Sequence, residues 1–345
     1  MPETQPPSPS IAGPETTPGF TCEQAEAIVS QHYGISASAS PLPSERDQNF
    51  RIKSKGGENF VLKIANAEED FEVLDFQSGA FERARQLGVS LELPQLLVSN
   101  SGKRIARISD EHGRSFLMRL VSWVDGTVMV DLEDHDQELL ASAGRQLAAL
   151  DKSLLDYDHP GKHRTLCWDV RYAQGALDHL PLLTEKQRKI VEHLIQPALQ
   201  LDWSRLELSV IHSDANDHNL LVRDGRVSGL IDFGDMVYSA LAADPAIAAA
   251  YAMLDKPNPL EAASQLVSAY LDAMPLKPYD RSAILPLAIA RLCMSVCFAA
   301  HNASAKPDDP YQLVTAGPAW ETLELLAKSS WKDLYQTWNE LMDST

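Results

Sequence analysis

His212-Ser213-Asp214-Ala215-Asn216-Asp217-His218-Asn219, followed beyond residues 220–230 by Ile231-Asp232-Phe233-Gly234-Asp235, is the stretch from which the rest of the chain is read. Between the two halves, Asp224-Gly225 marks a tight hairpin turn, because both residue types tolerate the positive φ angles such turns need. A hairpin there draws Asp214, Asn219 and Asp232 together on short loops. All three are oxygen donors of the kind a hard cation such as Mg2+ prefers. Phosphoryl transfer asks chiefly for a positioned nucleophile and neutralised phosphate charge. An Asp receives the acceptor hydroxyl, an Asn on the same loop meets the metal, and a second Asp holds the bridging ion. The residue types, order and spacing here match that demand. His-x-Asp-x4-Asn alone, or Asp-Phe-Gly alone, is a weak signal, and the two joined by a hairpin are specific. The competing reading is that Asp214 and Asp217 cap turns and Asp232 is a solvated turn carboxylate.

Working upstream, such a site needs a cation for the α- and β-phosphates. In Phe60-Val61-Leu62-Lys63-Ile64 the period-2 rule sets Phe60, Leu62 and Ile64 on one face of a strand and Val61 and Lys63 on the other. Lys63 is therefore the expected phosphate-binding lysine, and Val61 can roof the nucleotide base. Residues 68–87 carry Phe71, Leu74, Phe81 and Leu87 at helical spacing, which predicts one amphipathic helix. An acidic partner for Lys63 is expected there, Glu72 first, with Asp75 the alternative three residues on. No Walker A loop and no G-x-G-x-x-G occurs. The turn Ser44-Glu45-Arg46-Asp47-Gln48 is polar, so any cover for the phosphates comes from Ser44, Arg46 and backbone amides. An exposed turn arginine is the plain alternative for Arg46.

The surrounding elements fall into two groups. Residues 50–123 read as short strands around that one helix: NFRIKS and NFVLKIAN across a Gly-Gly turn, then 96–100, 104–109 and 115–123. After Trp123-Val124-Asp125-Gly126 helical patterns dominate, at 132–155, 168–180, 185–200, 244–254, 259–273, 281–301 and 318–342. The expected organisation is a leader without order over 1–19, a nucleotide-binding lobe over 20–123 and a catalytic and substrate-binding helical lobe over 124–345. In fold class this is α+β: a small antiparallel β-rich lobe carrying one helix, and a larger, mainly helical lobe with a loop-and-hairpin insert.

Composition bounds the partners. Of 345 residues, 44% are hydrophobic and 23% charged, as in a globular chain. Thirty basic against 48 acidic residues give a net charge of -18, the wrong sign for coating nucleic acid or an anionic membrane. Four cysteines without C-x2-C spacing argue against a disulfide scaffold or a zinc site. No uninterrupted apolar run of membrane-spanning length and no signal-peptide pattern is read, so the expected location is cytoplasmic.

The residues support a resemblance at this point. The chain is similar to the aminoglycoside phosphotransferase and choline kinase group of small-molecule kinases, and within it to hydroxylysine kinase-type enzymes and the kinase domains fused to class III aminotransferases. The likeness rests on SERDQNF (44–50), NFVLKIAN (59–66), FLMRLVSWVDGT (116–127), CWDVRYA (167–173), VIHSDANDHNLLV (210–222) and GLIDFGDMVYS (229–239). It implies the bilobal protein-kinase-like fold, Asp214 as the residue that takes the acceptor proton, Asn219 and Asp232 as Mg2+ ligands, Lys63 on the phosphates, and ATP or GTP as donor. Ser213 departs from the group, where Gly is usual.

Acceptor identity is read from weaker signals. Trp168 can stack on an ammonium group and Asp169 can pair with it, or the two are a core Trp beside a helix cap. Asp217 and Asp235 crowd the same loops, where one of them can meet the ammonium of an amino alcohol or the surplus carboxylates are structural. Arg291, alone in LPLAIARLCMSVCFAAH, is either a structural ion pair or the contact for a substrate carboxylate. The expectation is a kinase for a small amino alcohol or hydroxy amino acid such as 5-hydroxylysine, with homoserine, choline, ethanolamine or an aminoglycoside as alternatives. A nucleotide-binding regulatory module without turnover is the alternative of another class. Oligomeric state stays open.

Overall fold

The alternating runs on either side of Lys55-Gly56-Gly57-Glu58 form strands β1 to β3 with their neighbour upstream: β1 (Ala37–Leu42), β2 (Gln48–Ser54) and β3 (Asn59–Ile64). The computed structural model describes residues 16–44, 46–305 and 316–344, so the leader expected over 1–19 lies largely outside the described residues. β4 (Ala106–Ser109) and β5 (Ser115–Ser122) complete an antiparallel sheet of order β1-β2-β3-β5-β4. Alternation decides its two faces. Leu62 and Ile64 of β3 join Phe50, Ile52 and Met118 in a core closed by α1 (Cys22–Tyr33), while Val61 turns the other way with Lys63. On that second side lies α2 (Phe71–Gln86), capped by the Asp70 carboxylate on the Glu72 amide.

The chain then leaves the sheet through Gly126, at φ 148, and enters the helical lobe after a two-residue strand, β6 (Thr127–Val128). Helices α3 (Gln137–Leu154), α4 (Glu185–Leu194), α5 (Gln196–Leu199), α6 (Ala243–Ala252), α7 (Pro259–Ala273), α8 (Pro278–Ala305), α9 (Ala316–Leu326) and α10 (Trp331–Ser344) build this lobe. α3 and α7 pack so closely that a Cβ at Gly144 would strike the Leu266 carbonyl. The insert forms β7 (Leu208–Ile211), the hairpin β8 (Leu220–Arg223) and β9 (Arg226–Leu230), and β10 (Val237–Ala240), which pairs with β7. Asp224 and Gly225 sit at φ 53 and 71, the two positive angles the hairpin turn requires.

Several expected elements differ. Residues 96–100 are no strand: Leu97 N bonds Leu120 O at 2.9 Å and Leu96 makes one bridge to Val121. Residues 168–180 wind as a 3-10 segment, Val170–Leu182, broken at Tyr172. The run 318–342 is two helices, because Ser330 and Asp333 exchange a capping box at the head of α10. β1 and β10 were not foreseen. α8 is long and apolar enough to cross a membrane by length and composition, yet 94% of its most apolar window is buried inside the protein, so it serves here as a core helix.

Candidate active site

The catalytic loop hangs between β7 and β8 and is tied from behind. Asp244, wholly buried in the first turn of α6, accepts the amides of His212 at 3.0 Å and Ser213 at 2.6 Å. This holds Ser213 in the left-handed region, φ 65, where glycine is at ease and an L side chain is strained. His212 donates from Nε2 to Ile231 O at 3.2 Å and accepts the Asp214 amide on Nδ1 at 3.3 Å. Burial lowers its pKa, so it stays a neutral strut. The Asp214 carboxylate is the focus: Oδ1 accepts from Arg291 Nη2 at 2.8 Å and Asn216 Nδ2 at 2.9 Å, and Oδ2 from Asn219 Nδ2 at 2.8 Å. Burial pushes its pKa well up; Arg291 pulls it down, while Asp235 and Asp232 push with the burial.

Asp232 opens the second loop in the left-handed region as well, φ 59. Its Oδ1 accepts from Lys63 Nζ at 2.8 Å, and that ammonium is the main reason its pKa is held at about 2. Phe233 packs edge-on against both His212 and Phe81 of α2, which joins the two loops to the small-lobe helix. Two donors fix the Gly234 carbonyl, Gln77 Nε2 at 3.0 Å and Arg164 Nη1 at 2.7 Å. Arg46 reaches down from the β1–β2 turn to Asp235 at 2.9 Å.

The structure thus gathers Ser44, Arg46, Lys63, Asp214, Asn219, Asp232, Asp235, Trp168 and Arg291 around one cleft of about 240 Å3. It separates the others. Glu72 is exposed in the first turn of α2 and does not meet Lys63, whose partner is Asp232. The side chain on that helix that does reach the site is the neutral Gln77, whose Oε1 accepts from Arg119 at 2.6 Å. Val61 shares the Lys63 face and packs on the core cluster containing Phe76 and Phe81. Asp169 is buried, caps the Arg171 amide at 3.0 Å and accepts from Ser239 at 2.7 Å, so it braces the fold and does not border the cleft. Asp217 likewise lies off the cleft, and among the described residues its buried Oδ1 has no hydrogen-bond partner. Asp235 borders the cleft already paired to Arg46. The anion for Arg291 is Asp214 itself: with 3% of its side chain exposed, the guanidinium spans Asp214 and the Trp168 carbonyl, 4.6 Å over the Trp168 ring.

One wall of the cleft went unread in the sequence. Arg291, Ser295, Ala299 and Asn302 all line the cleft, and their spacings of four, four and three put them on one stripe of α8. Trp168 and Tyr251 flank the same wall. The stripe was legible as small and polar residues at helical spacing from Arg291. Arg119 was legible too, as a cation inside the apolar run FLMRLV, where it stands directly opposite Lys63. Arg164 carried no such signal.

A divalent cation would suit this geometry. Asn219 commits its amide nitrogen to Asp214 O and Oδ2, which leaves the carbonyl oxygen as its donor to a metal, and Asp232 engages Lys63 through one oxygen only. Among the described residues no three His, Cys, Asp or Glu side chains form a metal cage. Mg2+ keeps waters and phosphate oxygens and takes few protein ligands, so the two oxygens of Asn219 and Asp232 fit its demand.

Comparison with known proteins agrees with this geometry. Residues 38–281 match the phosphotransferase enzyme family. Hydroxylysine kinase of Mus musculus is 28% identical over 358 aligned positions, covering 95% of this chain and 94% of that one. The Bos taurus hydroxylysine kinase is also 28% identical, covering 95% of each. Among solved structures, a microcompartment-associated aminopropanol kinase superposes with a TM-score of 0.69 at 16% identity, over 88% of this chain and 95% of that one. An amicoumacin kinase solved with AMP-PNP and Ca2+ gives 0.67 at 16% identity, over 88% and 93%. These two likenesses speak to the fold alone.

Proposed function

The chain belongs to the phosphotransferase enzyme family and is a small-molecule kinase; we propose that it moves the γ-phosphate of ATP or GTP, with Mg2+, to the hydroxyl of a small amino-bearing alcohol, 5-hydroxylysine first. The observation that carries this reading is the convergence of Asp214, Asn219, Asp232 and Lys63 on one cleft, each already in contact with another member of the set.

In this reading the acceptor hydroxyl hydrogen-bonds Asp214. Its oxygen attacks the γ-phosphorus, the bond from that phosphorus to the β–γ bridging oxygen breaks, and the nucleoside diphosphate departs. The hydroxyl proton passes to the Asp214 carboxylate. Arg291 and the two asparagines keep that carboxylate from rotating away. Lys63, held ready by Asp232, exchanges that contact for phosphate oxygens. Mg2+ bound by Asn219 and Asp232 would supply charge neutralisation on the phosphates. Dependence on a nucleoside triphosphate argues for a cytoplasmic location.

Charge favours an ammonium-bearing acceptor. Arg46, Lys63 and Arg291 are the cations lining the cleft, and each faces a carboxylate: Asp235, Asp232 and Asp214. Asp47 adds a further carboxyl group to the lining. The balance left for a ligand is negative, which suits hydroxylysine with its two ammonium groups, and suits choline, ethanolamine or an aminoglycoside as well. Homoserine, with one ammonium beside its carboxylate, is the weaker candidate.

The deciding experiment is a panel of these alcohols with MgATP and MgGTP in a coupled nucleoside diphosphate assay. Hydroxylysine should give the highest kcat/KM. Diphosphate release no faster with any alcohol than without one would defeat the proposal. Thermal stabilisation by the nucleotides in that case would favour a binding module without turnover.

A further inference from the structure

A second pair of carboxyl groups lies beneath the catalytic loop. Asp151, in the last turn of α3, and Asp244, at the head of α6, are both completely buried. Asp244 spends both oxygens on the amides of His212 and Ser213. Asp151 accepts the Tyr270 hydroxyl of α7 on Oδ2 at 2.6 Å, and its carboxyl is in hydrogen-bond contact with that of Asp244. Among the described residues no N–H or O–H of another group reaches Asp151 Oδ1.

Two ionised carboxylates cannot share a dry contact of this kind, because neither has a donor and both lose their hydration. One proton between them turns the repulsion into a hydrogen bond. Asp244 faces two amide donors, which stabilise an anion. The proton therefore resides on Asp151.

We propose that Asp151, as a buried carboxylic acid, is a positioning residue for phosphoryl transfer: it donates to Asp244 and thereby holds Ser213 in the left-handed turn that aims Asp214 into the cleft. This rests on Asp214 being the residue that receives the acceptor proton. The relay runs from Tyr270 through Asp151 and Asp244 to the amides of His212 and Ser213, and it joins α7, α3 and α6 to a loop none of them contains. Burial pushes the Asp151 pKa well up, and Asp244 adds to the effect. The groups facing the pair are Tyr270 from α7 and neutral His212 from the loop. The folded protein thus binds a proton that the unfolded chain releases near pH 4. Stability from this source is full below that pH and declines as pH rises through the folded pKa of Asp151.

Asp151→Asn and Asp151→Leu separate the possibilities. Asn can donate to Asp244, accept from Tyr270 and never ionise, so kcat should stay within about twofold of wild type. Leu leaves Asp244 and Tyr270 without their partner, and kcat should fall roughly ten- to hundredfold while KM for nucleotide holds. As pH rises above the ordinary carboxylate range the melting temperature of wild type should fall relative to Asp151→Asn, because only the wild-type side chain has a proton to lose. Unchanged kcat in Asp151→Leu, no rescue by Asn, or parallel melting curves would each overturn the proposal. If Leu prevents folding, the Asn and wild-type pH curves still decide. Those curves need no substrate, so they stand apart from any failure to find an acceptor.

Discussion

The catalytic loop and the α8 wall border the same cleft and are built in opposite ways. In the loop, near neighbours hold one another: His212 holds the Asp214 amide, Asn216 and Asn219 hold its carboxylate, and Asp244 closes the back. The wall is a stripe of α8 flanked by Trp168 and Tyr251, brought together by packing from three separate stretches. Chemistry that depends on sub-ångström placement is encoded within one short segment. The α8 wall beyond Arg291, at Ser295, Ala299 and Asn302, borders the cleft on residues that can change one at a time without disturbing that segment.

The largest expected effect breaks the loop. Asp214→Asn keeps the shape but removes the anion, and kcat should fall by about three orders of magnitude while the melting profile survives. Comparable turnover in that variant would show that another group receives the proton. A smaller effect should mark the wall. Ser295→Leu pushes a branched side chain into the cleft one turn from Arg291, and KM for the acceptor should rise about tenfold with KM for nucleotide unchanged. A matching rise for both substrates would mean that the wall does not sort acceptors. The smallest effect returns to the loop. Ser213→Gly relieves an L residue held at φ 65 with its Oγ buried and without a partner, and stability should rise by about 1 kcal/mol with kcat little changed. Denaturant melts would detect the opposite sign, which would show that the serine is held for packing.

How much of this could be read beforehand varies with distance along the chain. The Asp224-Gly225 turn and the two faces of β3, with Lys63 on the side away from Leu62 and Ile64, follow from local rules and are found in the structure. Glu72 misled because the Asp70 cap sets where α2 begins: it leaves Glu72 exposed in the first turn and brings Gln77, more than a turn later, to the Gly234 carbonyl. Asp169 was weighed between a partner for an ammonium group and a helix cap, and its bonds to the Arg171 amide and to Ser239, supplied by the unforeseen β10, make it a cap and a brace. Arg291 was weighed between structure and substrate, and its partner proved to be Asp214, 77 residues upstream.

By itself the sequence determined the two lobes, the hairpin that gathers Asp214, Asn219 and Asp232, and the lysine that answers them. Periodicity, turn chemistry and ligand spacing act over a few residues and need no knowledge of the rest. Only the tertiary structure decided which charges meet: Lys63 with Asp232, Arg291 with Asp214, Arg46 with Asp235. Ion pairing is set by burial and by distance through space, and neither is written in the order of the residues.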